Sequence, residues 1–323
     1  MKILVVQNRM GIGDMVIFLP YIESISKYYN LPVSLLIKEN TKYSEYLSKN
    51  PFIDQIIILE RDDKRKVGKH FGLTGIFQLS QDIKKHNFDK IFIFNSSIRY
   101  ALIARIAGIK NIYQYKLFKK KNQNIIEAAR LFIKDTLDVD VESNPIISIS
   151  AKTIDEKKIE YQISNNEINI LLGVGGSGPT KRVPAKKILE FIKLCNQKFN
   201  CKFFLAAGSN KPESEIINEI LNSQYKEKCI NLSKLKISLI LPIIKNCNLA
   251  VCNDTSFSHL SAALGVQTIV LMTDTPLLYG NYSPRMHPIL PDGETTVTHD
   301  TLGKDRINPE KIFNKMKNIL NLN

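Results

Sequence analysis

The turn at residues 253–256 gathers several hydrogen-bonding side chains in one short stretch. An apolar run that predicts a strand precedes it, and small residues that predict a helix follow it. Asp254 is placed to cap that helix, while Thr255 and Ser256 put hydroxyl and backbone N–H groups at its N-terminus, which favours an anion. His259 lies one helical turn after Thr255, so both side chains can face a ligand. We interpret His259 as an orienting or phosphate-contacting residue.

A glycine-rich loop follows an earlier apolar run in the second half of the chain. It combines the backbone of Gly175 and Gly176 with the hydroxyls of Ser177 and Thr180 and the ammonium of Lys181. Backbone N–H groups, hydroxyls and a lysine can cradle a phosphate or diphosphate. A surface turn is the alternative, but cations beside glycines directly after a strand favour anion binding. The Gly-Lys-Ser/Thr ending of a Walker motif is absent.

Acidic residues begin the helix that follows the next glycine turn. Glu213 or Glu215 can accept hydrogen bonds from the hydroxyls of a ribose. The alternative is that carboxylates stand there because they interact favourably with a helix N-terminus. The two interpretations stay open on these residues alone.

The first loop of the chain carries Gly11, Gly13 and Asp14 between an apolar run and a helix. The glycines allow a tight turn and a close approach of the backbone to a ligand. Asp14 can act as a general base that takes the proton from an attacking hydroxyl. It can also simply cap the helix, which this loop alone favours. Val16 stands where a dinucleotide fingerprint needs its third glycine, so a nicotinamide cofactor is disfavoured.

These loops need a framework that brings them together. Short apolar runs alternate with longer amphipathic segments, a pattern typical of parallel sheets wrapped by helices. We expect strands at 2–7, 32–37, 54–59, 89–94, 110–113, 168–174, 202–207, 229–232, 249–252 and 267–271. We expect helices at 14–29, 41–48, 74–86, 98–107, 123–135, 185–198, 212–222, 236–245, 256–264 and 309–321. Ligands of open parallel sheets bind beyond the carboxyl ends of the strands, where all of these loops fall.

The polar stretch 140–166 separates two such alternating blocks. It therefore predicts a connection between two α/β domains, at residues 1–150 and 151–323. Two similar domains with a cleft between them suit an enzyme that takes two substrates.

Composition narrows the classes of protein further. The 323 residues are 44% hydrophobic and 24% charged, which excludes a disordered chain or a coiled coil. The net charge of +14 indicates acidic partners, but it is spread over both halves, which disfavours nucleic-acid binding. Basic loops lie at 61–72 and 116–124. Five cysteines without a CxxC pair favour free thiols in a reducing cytoplasm and no zinc site.

No apolar run is long enough to span a bilayer. We therefore expect a cytoplasmic protein. Peripheral contact of its basic loops with the anionic inner membrane is left open as a further alternative.

Taken in order, these segments resemble glycosyltransferase family 9, the ADP-heptose:lipopolysaccharide heptosyltransferases. The resemblance rests on four segments that lie at 3–20, 180–184, 253–266 and 307–310. It implies a GT-B architecture, in which two facing Rossmann-like domains bind acceptor and nucleotide-sugar, respectively. It also implies an inverting transfer to a lipopolysaccharide core or other cell-envelope glycan, without an obligate metal or other cofactor.

The resemblance also implies roles for individual residues. Asp14 matches the general base, and Glu213 is the best match for the ribose contact. The positions that match the family's contacts to the donor and its diphosphate are Thr180, Lys181, Asp254, Thr255 and His259.

Two positions differ from the family's pattern, since Ser256 stands in place of glycine and Val183 in place of tryptophan. A donor other than ADP-heptose is therefore an open alternative. A sugar-nucleotide epimerase of similar two-domain fold and a non-catalytic nucleotide-sugar-binding relative are further alternatives.

Overall fold

The computed structural model describes residues 1–116 and 124–322. The chain forms two compact units, Met1–Pro145 and Ile146–Asn323, and the boundary lies five residues before the one expected from the sequence. Of the basic loop at 116–124, the residues 117–123 lie outside the described part of the chain. Each unit is a parallel β-sheet with helices between its strands.

The first unit contains a five-stranded sheet in the order β3-β2-β1-β4-β5, with all neighbours parallel. Its strands are β1 (Ile3–Val6), β2 (Val33–Ile37), β3 (Ile53–Ile58), β4 (Lys90–Ile93) and β5 (Asn111–Gln114). Its helices are α1 (Ile12–Tyr29), α2 (Thr74–Lys84), α3 (Ile98–Ile106) and α4 (Ile125–Leu137). Every residue of β1 and β2 is buried, as expected for strands covered by helices on both faces.

The second unit contains a six-stranded parallel sheet in the order β11-β10-β9-β6-β7-β8. Its strands are β6 (Ile168–Gly173), β7 (Cys201–Ala206), β8 (Cys229–Asn231), β9 (Leu249–Asn253), β10 (Thr268–Leu271) and β11 (Met286–Ile289). Its helices are α5 (Ala151–Glu160), α6 (Ala185–Lys198), α7 (Lys211–Leu221), α8 (Ile237–Lys245), α9 (Ser256–Ala263) and α10 (Pro309–Leu320).

Both sheets are doubly wound, and each has one point at which the chain reverses its direction across the sheet. This point lies between β1 and β4 in the first unit and between β6 and β9 in the second. The loops on either side of such a point diverge and leave a crevice at the carboxyl ends of the strands. The fold therefore indicates that ligands bind at the loops after β1, β4, β6 and β9.

The expected α/β class with doubly wound parallel sheets is confirmed. All ten expected strands are present, each within one residue of its expected bounds. Short apolar runs were a sufficient signal because most of these strands are buried on both faces.

Three elements differ from the expectation. The helix expected at 41–48 is wrong, because Lys42 has a left-handed backbone (φ 49°) that separates two short 3-10 turns. Helix α5 was not expected, since its polar residues give no apolar periodicity and none of them is fully buried. Strand β11 was missed because His287 and Pro288 interrupt its apolar run. Pro288 is tolerated there because β11 is an edge strand.

Candidate functional site

A group of charged side chains that is mostly buried lies at the reversal point of the second unit. Lys181, on the loop after β6, places its Nζ atom 2.8 Å from Oδ2 of Asp254, which directly follows β9. The side chain of Asp254 is only 6% exposed, whereas that of Lys181 is 22% exposed. The two loops are thus joined by an ion pair whose lysine side chain remains partly exposed.

Asp254 is a buried carboxylate held in its charged form by its neighbours. Burial by itself acts to raise the pKa of Asp254, but His259 and Lys181 outweigh it and leave the pKa well below its usual range. The Nε2 atom of His259 lies 3.7 Å from Oδ1 of Asp254, the carboxylate oxygen that Lys181 does not bind. The carboxylate therefore bridges a lysine and a histidine.

His259 is itself fixed on its second ring nitrogen. Its Nδ1 atom lies 3.0 Å from the hydroxyl oxygen of Tyr282, and the two rings stack with centroids 5.6 Å apart. Burial, together with the charge of Asp254, raises the pKa of Tyr282 and keeps its hydroxyl neutral. His259 is buried beside Asp254 and held by Tyr282, so its ring can keep the Asp254 carboxylate in one orientation. A contact of His259 with phosphate stays a prediction.

Asp254 does not cap α9, in contrast to the sequence expectation. The N-cap is Thr255, whose hydroxyl accepts a hydrogen bond from the backbone N–H of Phe257 at 3.2 Å. The carboxylate of Asp254 is not available for capping because it is engaged by Lys181 and His259. Thr255 and Ser256 stand at the N-terminus of α9, as expected, and both are partly exposed.

Asn253 connects the two loops in a way that the sequence analysis missed. Its amide Nδ2 donates to the carbonyl oxygens of Val174 and Gly175, both at 2.9 Å, and the residue is fully buried. The last residue of β9 thereby holds the start of the glycine-rich loop. An amide at the end of an otherwise apolar strand is the signal that could have found it.

Glu213 shapes two glycine turns at once. Its Oε1 atom accepts a hydrogen bond from the N–H of Gly176 at 3.2 Å, and its Oε2 atom accepts one from the N–H of Gly208. A Cβ atom at Gly175 would lie 2.8 Å from this carboxylate, and one at Gly208 would lie 2.6 Å from it. Both glycines are therefore needed for the carboxylate to approach. The ribose contact remains a prediction.

The glycine-rich loop is also braced from other directions. The hydroxyl of Thr273 donates to the carbonyl oxygen of Thr180 at 2.9 Å, and Arg182 donates from Nη1 to the carbonyl of Gly176 at 2.9 Å. Ser177 at the tip is exposed. The backbone on either side of Ser177 is thus fixed, while Ser177 itself is exposed.

The residue that replaces the family's tryptophan has a structural role. Val183 is fully buried and belongs to the main hydrophobic core of the second unit. Pro184 next to it is the N-cap of α6.

Asp14 lies at the reversal point of the first unit. It is the third residue of α1, whose N-cap is Gly11 with a positive φ of 94° and without a side-chain cap. The capping interpretation is therefore wrong. Instead, Oδ1 of Asp14 accepts a hydrogen bond from Nε of Arg9 at 2.8 Å, and the carboxylate side chain is 19% exposed. Sequence analysis did not foresee this partner, although it precedes Asp14 in the same loop.

The loops after β1 and β4 are also connected directly. Asn95 donates from Nδ2 to Oδ1 of Asn8 at 3.1 Å.

In the second unit, the structure brings Lys181, Asp254, Thr255 and His259 together, with Glu213 linked to them through Gly176. Asp14 belongs to the other unit. Among residues 1–116 and 124–322, no group of three or more His, Cys, Asp or Glu side chains could hold a metal ion.

Comparison with known proteins connects this arrangement with a family. The family model described as glycosyltransferase family 9 (heptosyltransferase) matches residues 76–294, which is more than half of the chain. The chain belongs to glycosyltransferase family 9. The match includes the loops after β6 and β9 but not the loop that carries Asp14.

Full-length relatives of this family 9 glycosyltransferase are heptosyltransferases. The lipopolysaccharide heptosyltransferase 1 of Campylobacter coli is 22% identical over 336 residues, covering 94% of this chain and 93% of the relative. The structure of the E. coli ADP-heptose lps heptosyltransferase II is 19% identical, covers 99% of this chain and 98% of its own, and has a TM-score of 0.72. That of the E. coli heptosyltransferase WaaC with ADP is 14% identical, covers 99% and 100%, and has a TM-score of 0.70.

These likenesses confirm the family resemblance, the GT-B fold class and the glycosyltransferase class of enzyme. They do not favour the epimerase or the non-catalytic alternative. In the part of the chain that the structure describes, no helix is both long enough and apolar enough to span a membrane.

Proposed function

We propose that this glycosyltransferase transfers a heptose from ADP-heptose to a lipopolysaccharide core or another cell-envelope glycan, with inversion at the anomeric carbon. The observation that carries the proposal is the ion pair between Lys181 and the buried Asp254 at the reversal point of the second sheet. The relatives named above support the choice of heptose, and the ADP in one related structure supports the choice of nucleotide.

The donor diphosphate binds at the loops after β6 and β9 in this proposal. Lys181 contributes an ammonium, and Thr255 and Ser256 contribute hydroxyl and N–H groups at the positive end of α9. Ser177 and Thr180 add hydroxyls from the glycine-rich loop. Negative charge builds on the diphosphate as it leaves the sugar, and positive groups fixed beforehand stabilise it. We propose that these groups suffice without a metal ion or other cofactor.

Asp254 and His259 are positioning residues in this scheme. Asp254 fixes the ammonium of Lys181, and His259 holds Asp254 at its other oxygen. The ammonium therefore needs little reorganisation when the diphosphate arrives.

Glu213 is proposed to contact the ribose of the nucleotide. Both of its carboxylate oxygens already accept backbone N–H groups. A carboxylate has about four acceptor sites, so these bonds leave capacity for a ribose hydroxyl. The same residue would then shape the loop and bind the nucleotide.

Asp14 is proposed to be the general base. Its carboxylate takes the proton of the acceptor hydroxyl while that oxygen forms the new bond to the anomeric carbon and the diphosphate departs. A single displacement of this kind inverts the anomeric configuration. Arg9 holds the carboxylate in one orientation through the bond to Oδ1.

A transfer assay with a soluble core oligosaccharide tests the proposal. The full-length enzyme is incubated with ADP-heptose, with and without EDTA, and the product is analysed by mass spectrometry and NMR. We expect a heptosylated product of inverted configuration in both conditions. A parallel thermal-shift screen of nucleotide-sugars tests the choice of donor, which Ser256 and Val183 left open because they differ from the family's pattern. A bound donor raises the thermal midpoint, since it stabilises the folded state. Stabilisation by another nucleotide-sugar, but not by ADP-heptose, would contradict the proposed donor.

A further inference from the structure

One further loop of the second unit borders the site proposed for the donor. This β10 loop (residues 272–285) joins β10 to β11. Near its start, the hydroxyl of Thr273 donates to the carbonyl oxygen of Thr180 in the glycine-rich loop, at 2.9 Å. Near its end, the hydroxyl oxygen of Tyr282 lies 3.0 Å from Nδ1 of His259. The β10 loop is therefore held against the site at both of its ends.

Two consecutive residues of the β10 loop carry buried polar groups that the fold does not fully pair. Asp274 is 7% exposed, and its Oδ1 atom accepts a hydrogen bond from the backbone N–H of Leu302 at 2.9 Å. Within residues 1–116 and 124–322, no lysine, arginine or histidine forms an ion pair with this carboxylate. Thr275 is 3% exposed, and its hydroxyl has no hydrogen-bond partner among the same residues. Such burial costs free energy, which a ligand that supplies the missing partners would offset.

The other buried carboxylates have more partners than Asp274. In the part of the chain that the structure describes, they are Glu23, Glu213 and Asp254. Glu23 pairs with a lysine one turn further along α1, and Glu213 accepts two backbone N–H groups. Asp254 lies between a lysine and a histidine. A carboxylate has about four acceptor sites, so Asp274 keeps most of its hydrogen-bonding capacity for a ligand.

The chemistry of these two groups favours a ligand with several hydroxyl groups. The carboxylate oxygens of Asp274 accept hydrogen bonds from hydroxyls, and the hydroxyl of Thr275 can either donate or accept. A phosphate is disfavoured beside Asp274, because like charges repel. A cation is disfavoured as well, since the described residues bring no set of three acidic, histidine or cysteine side chains together there.

We infer that Asp274 and Thr275 bind hydroxyl groups of the sugar that the donor carries, and thereby select the donor. Leu271 at the end of β10 pairs with Asn253 at the end of β9, so the β10 loop starts beside Asp254. A sugar attached to a diphosphate at the loops after β6 and β9 is therefore next to the β10 loop. A site that hydrogen-bonds a substrate hydroxyl rejects an analogue without it. The inference rests on the proposed function for the position of the diphosphate.

Calorimetric titration of the full-length enzyme with ADP-heptose and with ADP tests the inference. ADP lacks the sugar and is the reference for binding of the nucleotide and the diphosphate. Asp274→Asn keeps an oxygen for the N–H of Leu302 but loses the charge. It should bind ADP-heptose about tenfold more weakly, because hydrogen bonds to a charged group are the stronger ones, and it should bind ADP like the wild type. Asp305→Asn, at an exposed position near Leu302, is the matched control and should change neither affinity.

Thr275→Val tests the hydroxyl by itself and decides the matter if Asp274→Asn does not fold. The variant removes a buried hydroxyl that has no partner in the described structure, so its thermal midpoint without ligand should equal or exceed that of the wild type. Its affinity for ADP-heptose should fall several-fold, while its affinity for ADP should be unchanged. Thr296→Val, at an exposed position, is the control and should bind both ligands like the wild type.

Two results would overturn the inference. They are variants that bind ADP-heptose as tightly as the wild type, and variants that lose affinity for ADP and ADP-heptose equally, as a displaced loop would. If the wild type binds another nucleotide-sugar instead, the comparison is made with that donor and its nucleotide diphosphate, and the same selective loss is expected. If the selective loss is found but the wild type transfers no sugar, the proposed transfer is wrong and the sugar-binding residues stand.

Discussion

The two units share the same order of their five corresponding strands, and the second unit adds a sixth, but they place different kinds of charge at their reversal points. In the second unit, a buried Asp254 is engaged by Lys181 and His259, and Glu213 binds two glycine turns. In the first unit, Asp14 pairs with Arg9 within the part of the chain that the structure describes, and its carboxylate is more exposed. A dense, buried network suits groups that must stay in place around a leaving diphosphate. A more open carboxylate suits a group that must accept a proton.

An asparagine stands near the reversal point in both units. Asn253 donates to two carbonyl oxygens of the neighbouring loop, whereas Asn8 accepts from Asn95. In each unit an amide thus links the loops of the two central strands. The two units therefore connect their central loops in a similar way. They differ in the charged residues that these loops carry.

Substitution of the proposed base gives the largest expected effect. Asp14→Asn should lower kcat about 10²- to 10⁴-fold, because the amide cannot take the acceptor proton. Asp54→Asn, at an exposed position of β3 in the same unit, is the matched control and should leave kcat unchanged. Steady-state rates with the soluble acceptor measure both. A kcat of Asp14→Asn within threefold of the wild type would remove Asp14 from the mechanism.

Removal of the lysine from the second unit should act on binding instead. Lys181→Met should weaken donor binding about 10- to 100-fold, since a hydrogen bond to a charged group contributes about 1.5–3 kcal/mol. Calorimetric titration with ADP measures the change. Lys186→Met on α6, an exposed position, is the control and should bind ADP like the wild type. Unaltered affinity in Lys181→Met would mean that the diphosphate binds elsewhere.

Glu213 tests whether the glycine turns depend on a carboxylate. Glu213→Gln should lower the free energy of unfolding by about 1–3 kcal/mol, because one end of the amide then presents a donor to a backbone N–H. Urea denaturation measures it, with Glu215→Gln two residues along α7 as the control. The side chain of Glu215 is 63% exposed, so its change should be negligible. Equal stability of the two variants would contradict the bridging role.

The buried ion pair predicts a smaller, pH-dependent effect. The pKa of Asp254 is lower in the folded protein than its usual value of about 3.9, so the unfolded chain takes up the proton first as the pH falls. The stability from this carboxylate is therefore present above about pH 4 and is lost as the pH falls further towards the folded pKa.

Unfolding at a series of pH values measures this loss. The free energy of unfolding of the wild type should fall more steeply below pH 4 than that of Asp254→Asn, by about 1–2 kcal/mol. Parallel curves for the two proteins would show that the carboxylate has the same pKa in both states.

Sequence alone predicted the framework, and it singled out most of the charged residues that the structure brings together in the second unit. Apolar runs predicted ten strands because central parallel strands are buried on both faces. Polar α5 and edge strand β11 gave no such signal, and the expected helix at 41–48 failed because a left-handed residue interrupts it. The two missed elements share a weak apolar pattern, whereas the expected helix failed at a single backbone conformation.

The partners of the site residues could not be predicted in the same way. Lys181 and Asp254 are 73 residues apart, and they meet only because β6 and β9 are neighbours in the sheet. The capping role expected for Asp254 was wrong for the same reason, since a distant lysine engages the carboxylate. The bond of Glu213 to Gly176 likewise depends on the pairing of β6 with β7.

Binding of ADP to two variants tests the division of roles between the units most directly. We expect Asp14→Asn to bind ADP with the affinity of the wild type although its turnover is lost, and Lys181→Met to lose most of that affinity. If Asp14→Asn lost ADP binding and Lys181→Met retained it, the assignment of donor binding to the second unit and of proton transfer to the first would be contradicted.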